Sequence, residues 1–138
     1  MKTGKEMATL KYKNDGLPNN VEPQTHYQEI YLNLKSKGFD VYAPEQKRDK
    51  CIKPYVVIKE NGQFAMAGNV AGYNLVQIFC YYPKDQCSQL EFFVDNVKTA
   101  LDKIDFLRPT GNRSPVLFFE EIQAYGQSME YQIFHKFK

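Results

Sequence analysis

The stretch from Gly72 to Ile104 constrains this chain most, because it sets a strand and a helix in succession with very little chain between them. Between Tyr73 and Tyr82 both alternating sets are apolar: Tyr73, Leu75, Phe79 and Tyr81 on one side, Val76, Ile78, Cys80 and Tyr82 on the other. This predicts a central strand covered on both faces. Further on, Leu90, Phe93, Val94, Val97, Leu101 and Ile104 recur at helical steps, with Glu91, Asp95, Lys98, Asp102 and Lys103 off the stripe. Ser88 and Glu91 stand in capping-box relation before this helix, and Cys87 with Phe92 makes a candidate hydrophobic staple. So short a link forces the helix to fold back and lay its stripe on the sheet that holds the strand.

The flanking segments supply the rest of that sheet. Thr25 and Gln28 read as a helix start, and Tyr27, Ile30, Tyr31 and Leu34 form a stripe that ends near Gly38. Phe39 to Ala43 alternates as a half-buried strand and stops at Pro44. Pro54 to Glu60 is a second strand, and Asn61-Gly62 directly after it predicts a tight hairpin, with Gln63 to Ala67 returning antiparallel. Gly68 and Gly72 then bracket a turn into the central strand. After the long helix, Pro109 to Pro115 reads as a turn-rich loop and Val116 to Phe119 as a short apolar run. Met129, Tyr131, Ile133, His135 and Phe137 alternate with polar neighbours as a terminal strand with one buried face. The expectation is one α+β domain over residues 21–138, with a mostly antiparallel mixed sheet and two helices on one side. Residues 1–20 are expected to form an N-terminal arm.

Composition narrows the function classes. Lys and Arg total 18 against 16 Asp and Glu, so no strong field points to nucleic acid or an anionic membrane. No segment has the apolar run of a signal peptide or a membrane span, which predicts a soluble protein that stays in the cell that makes it. Cys51, Cys80 and Cys87 are odd in number and lack Cys-x-x-Cys spacing, so free thiols in a reducing setting are expected. His26 and His135 are not at ligand spacing to a cysteine or to each other, and neither a phosphate loop nor a nucleophile elbow occurs. Glu120 and Glu121 are adjacent and on a strand would point to opposite faces, so they make no catalytic pair. Tyr55, Tyr81 and Tyr82 offer rings for single-stranded nucleic acid, but little positive charge lies near them in sequence. Neither an enzyme, a metal site nor a cofactor is expected.

A set of ordered segments carries a resemblance. Cys51 to Glu60, Tyr82-Pro83-Lys84 with Gln89-Leu90, Arg108 to Asn112, and Ser128 to Ile133 together resemble the tail terminator (tail completion) proteins of long-tailed phages of Gram-positive bacteria. The resemblance spans most of the chain from Thr25 onward. It implies an α+β subunit of a hexameric ring in the virion, at the head-proximal end of the tail tube. Such a ring is assembled in the host cytoplasm, stops tube growth and joins the head. The implied partners are further copies of the chain, the tail tube protein and a neck or head completion protein, with genomic DNA passing through the ring without specific binding and no membrane involved. Alternatives are another neck component, such as a head completion or minor capsid protein, and a small-ligand binding module. Sheet edges and long loops are natural contacts in a closed ring. The candidate interface residues are therefore Lys47, Arg48 and Lys50 in the charged loop, Asn61 and Gly62 at the expected hairpin, and Arg108, Asn112 and Arg113.

Overall fold

A computed structural model describes residues 25–66, 68 and 71–136, the last two by their backbone; the expected N-terminal arm lies outside the described residues. The elements run α1 (His26–Ser36), β1 (Val41–Tyr42), β2 (Tyr55–Ala65), β3 (Ala71–Pro83), a 3₁₀ turn (Lys84–Gln89), α2 (Leu90–Leu101), β4 (Leu107–Arg113), β5 (Leu117–Phe119) and β6 (Ala124–Lys136). They form one six-stranded sheet in the order β1-β2-β3-β6-β4, with β5 pairing β6 beyond the end of β4. Among the described residues β1 and β2 run parallel and the other pairs are antiparallel. This is the α+β architecture the sequence patterning predicts, with two helices and a mixed sheet among the described residues, in a single domain.

Both helices present the stripes read from their periodicity. The Thr25 hydroxyl accepts the Gln28 N–H at 3.1 Å and starts α1, whose Ile30, Tyr31 and Leu34 are buried. Leu90, Val94, Val97, Ala100 and Leu101 of α2 are buried with them. The two stripes enclose a core with Val56 and Ile58 of β2, Val76, Ile78 and Cys80 of β3, and Met129, Tyr131 and Ile133 of β6. In β6 the expected alternation holds as far as it is described, with Phe134 exposed on the opposite face.

Several local expectations fail, each for a physical reason. Asn61-Gly62 is not a hairpin: β2 runs through it, and Gln63, Phe64 and Ala65 keep pairing with Asn74, Tyr73 and Gly72. Gly62 does take the positive φ that the dipeptide suggests, at 101°, but spends it on a bulge between Glu60 and Gln63. The hairpin turn comes later, around Gly68 at φ 92°, so the strand expected to return over Gln63 to Ala67 is instead the end of β2. The loop expected at Pro109 to Pro115 is in large part the edge strand β4, where Pro109 sits without disrupting an inner ladder and Gly111 at φ 95° forms a second bulge. The Ser88 capping box is absent. The chain winds into the 3₁₀ turn directly after Pro83, so Ser88 is already inside helical backbone where a cap needs an extended residue, and Gln89 precedes α2 without a side-chain cap. Phe92 is correspondingly unstapled and 65% exposed. The first strand shrinks to Val41 and Tyr42.

The largest departure concerns β3. It is central, paired by β2 and β6 over its length, but only its Val76-Ile78-Cys80 side is fully buried under the helices. Tyr73, Leu75, Gln77, Phe79 and Tyr81 on the other side are only partly covered. Two apolar faces on one strand therefore signal here one core and one open aromatic face.

Candidate functional site

The open face is laid out by register. Across β2, β3 and β6 the same side carries Tyr55-Tyr81-Gly126, Val57-Phe79-Ser128, Lys59-Gln77-Glu130 and Phe64-Tyr73-Phe134. A polar line crosses it: Asn61 donates to Gln77 Oε1 at 2.9 Å, and the Gln77 amide donates to Ser128 Oγ at 3.3 Å. On one side of that line, Phe64 stacks on Tyr73 at 5.7 Å and both Phe64 and Phe134 are exposed. On the other side lies a groove.

The groove has a volume of about 670 Å³. Its floor is Tyr55, Val57, Phe79, Tyr81 and Phe119, and its rim is Pro44, Glu45, Lys47, Arg48, Lys59, Glu121 and Ile122. Loop 43–54 builds one wall by crossing back over the open face. It is held there by the Cys51 N–H donating to Ile122 O at 2.7 Å, and by a small second core of Cys51, Tyr55 and Ala124. Tyr81 lies parallel to Phe79 at 6.2 Å, and meets Tyr55 at 5.2 Å and Phe119 at 5.3 Å. Gly126 makes this packing possible: a Cβ there would stand 2.7 Å from Tyr81 Cδ1.

Electrostatics give the floor a neutral, amphipathic character. Burial pushes the Tyr55 and Tyr81 phenols above their ordinary value, so both stay protonated at neutral pH. Burial likewise raises the Cys51 thiol against the opposing pull of Lys47. A nucleophilic cysteine needs the reverse shift. On the rim, Lys47 donates to Asp49 at 2.8 Å, which raises the ammonium and lowers the carboxyl, and lies 5.8 Å from the Tyr55 ring centre. Arg48 pairs with Glu45 at 2.8 Å, whereas Lys59 makes no ion pair among the described residues. Neutral rings under mixed charge suit a large apolar anchor with polar surroundings.

The candidate residues from sequence do not converge on one spot. Lys47 and Arg48 line the groove; Lys50 is exposed on the same loop but does not line it. Asn61 and Gly62 form the bulge on β2, outside β1's reach, because β1 pairs only Val56 and Val57. Arg108, Asn112 and Arg113 are on β4 at the opposite edge, where Glu130 accepts from Thr110 Oγ1 at 2.8 Å and Asn112 Nδ2 at 2.7 Å and so fixes the second bulge. Sequence periodicity puts Phe79 and Tyr81 of the groove floor on one side of the strand without showing the groove. What sequence alone did not show was the fold-back of the Lys47-Arg48 loop, which brings positive charge to Tyr55 and Tyr81. His26 is occupied in stacking on Phe106 at 4.3 Å, and among the described residues no group of three or more His, Cys, Asp or Glu could hold a metal ion. All three cysteines are free, with Cys51 and Cys80 buried and Cys87 exposed. No known family model matches the chain, and no curated relative does so either.

Proposed function

We propose that this protein is a structural subunit of the tail terminator type, which works by closing into a ring of like chains on the head-proximal end of a phage tail tube. The observation that carries the reading is the open sheet face: helices cover one side of the sheet, and the other presents a broad field of aromatic side chains with a groove in it. Contiguous exposed apolar surface of this kind marks a surface that another molecule covers. Two unlike sheet edges, the bulged β2 and the bulged β4, add the unequal ends that a head-to-tail ring requires. The ordered resemblance of Cys51 to Ile133 to tail terminators supplies the identity of the ring, with a tail tube below it and a neck protein above. Near balance of charge is consistent with a ring through which DNA slides, since each neutralised phosphate would add a salt-dependent hold.

The test is polymerisation of tail tube subunits with the purified chain added at increasing ratio. The reading requires tubes that shorten as the ratio rises and carry the added protein at one end only. Tubes of unchanged length with no bound protein, or tight salt-sensitive binding of DNA by the isolated chain, would refute it.

A further inference from the structure

Two patches on opposite layers of the molecule are unexplained by its own folding. One is the groove on the open sheet face, concave, floored by neutral rings and edged by Lys47, Arg48 and Lys59 together with Glu45 and Glu121. The other is on α2. Its buried side is Leu90, Val94, Val97 and Leu101, so Phe92 projects from the outermost side, away from the sheet, with 65% of its surface exposed. Glu91 and Asp95 flank it, exposed, one helical turn apart and in no ion pair among the described residues. A phenylalanine held out to solvent beside two unpaired carboxylates gains nothing for the fold of its own chain.

We infer that Phe92 of one copy enters the groove of the next, with Glu91 and Asp95 meeting Lys59 on its mixed-charge rim. This inference rests on the ring reading and names the contact that builds the ring. Complementarity is threefold: convex against concave, an aromatic side chain against an aromatic floor, and unpaired acids against a rim on which Lys59 is unpaired. The carboxylates Glu45 and Glu121 also lie on that rim, and Arg48 already pairs with Glu45, so Lys59 is the cation left to answer the incoming acids. Because helix layer and open face point in opposite directions, a chain cannot fill its own groove. The contact is between unlike patches and therefore propagates from copy to copy, closing into a ring where each copy is turned relative to the last. Buried aromatic anchors ringed by polar contacts are the usual carriers of binding energy in such interfaces.

The test uses full-length wild type, Phe92→Asp and Phe79→Asp in size-exclusion chromatography with light scattering. Each variant is checked by thermal unfolding, with Lys59→Glu as a groove variant whose exposed site leaves the core untouched. Wild type should assemble. Each of the two variants alone should be monomeric, its self-association weakened at least about a hundredfold. An equimolar mixture of the two should give dimers and nothing larger, because one intact knob and one intact groove remain per pair. Lys59→Glu should weaken assembly about tenfold and become stronger again when Glu91→Lys is added. If Phe92→Asp assembles as wild type does, this contact is wrong while the ring reading survives. If only the groove variants lose assembly, the groove takes another part of the neighbour and Phe92 is overturned as its occupant. A folded wild type that stays monomeric at every concentration refutes the ring reading and this contact with it.

Discussion

Replacing Gly126 by alanine should destabilise the protein, against the ordinary rule for strands. A glycine within a strand is normally a weakness, and alanine there should gain about 0.5–1 kcal/mol through backbone entropy and propensity. At Gly126, however, the new methyl group would stand 2.7 Å from Tyr81 Cδ1, 2.9 Å from Cε1 and 3.0 Å from Phe119 Cε1. Carbon atoms rest at about 3.5–4.0 Å, so the Tyr81 ring has to retreat by about 1 Å. It is hemmed in by Tyr55, Phe79 and Phe119, all with ring centres within 6.2 Å. Overpacking of that kind costs about 1–3 kcal/mol, which leaves a net loss of up to about 2.5 kcal/mol. Tryptophan is absent, so urea unfolding followed by tyrosine fluorescence and far-ultraviolet circular dichroism reads the change directly. The same substitution in a Tyr81→Ala background should lose most of its cost, since the nearer of the two colliding rings is gone and Phe119 is freed to give way. An alanine that raises the wild-type midpoint, or a cost that persists in full without Tyr81, would refute the packing described for the groove floor.

The remaining predictions concern the core, the titrating groups and the thiols. Leu101→Ala removes a fully buried side chain between helix and sheet and should cost about 2–5 kcal/mol, whereas Asp102→Ala loses only an exposed pair with Lys98 at 3.1 Å and should change stability by less than about 0.5 kcal/mol. Equal shifts in the unfolding midpoint would mean that the phase of α2 is wrong. Burial, with a smaller contribution from Asp102, pushes the Tyr131 phenol up to about 12, and burial pushes the Cys80 thiol up to about 12. Both folded values exceed the unfolded ones of 10.0 and 9.0, so the stability they contribute is complete below about pH 9 and should fall as pH rises toward 12. A urea midpoint independent of pH over that window would contradict the burial of these groups. A maleimide should label Cys87 alone in the native protein and all three cysteines after unfolding without reductant; rapid native labelling of Cys80 would contradict its place under the helices.

Elements defined by long periodic stripes were legible in the sequence, and devices that depend on a distant partner were not. The stripe from Leu90 to Leu101 fixes both the existence and the phase of α2, because burial of one helical face needs no knowledge of what covers it. Asn61-Gly62 demands a positive φ, yet a tight turn and a bulge satisfy that demand equally. The choice falls to β3, which is long enough to pair with Gln63, Phe64 and Ala65 beyond the bulge. Pro109 to Arg113 likewise reads as a loop until Glu130, on a strand that comes later in the chain, collects Thr110 and Asn112 and holds the segment at the sheet edge. The candidate groove shows the same limit. Tyr55, Phe79 and Tyr81 are visible as an apolar series, but periodicity cannot distinguish a face buried by the chain itself from one left for a neighbour.

The most direct measurement is native mass spectrometry of the purified full-length chain across a concentration series, with negative-stain imaging of the same sample. The account predicts a single closed species, six chains if the resemblance to tail terminators holds, seen end-on as a ring of uniform diameter. A strict monomer at every concentration, or an open ladder of masses with no closed species, would contradict it.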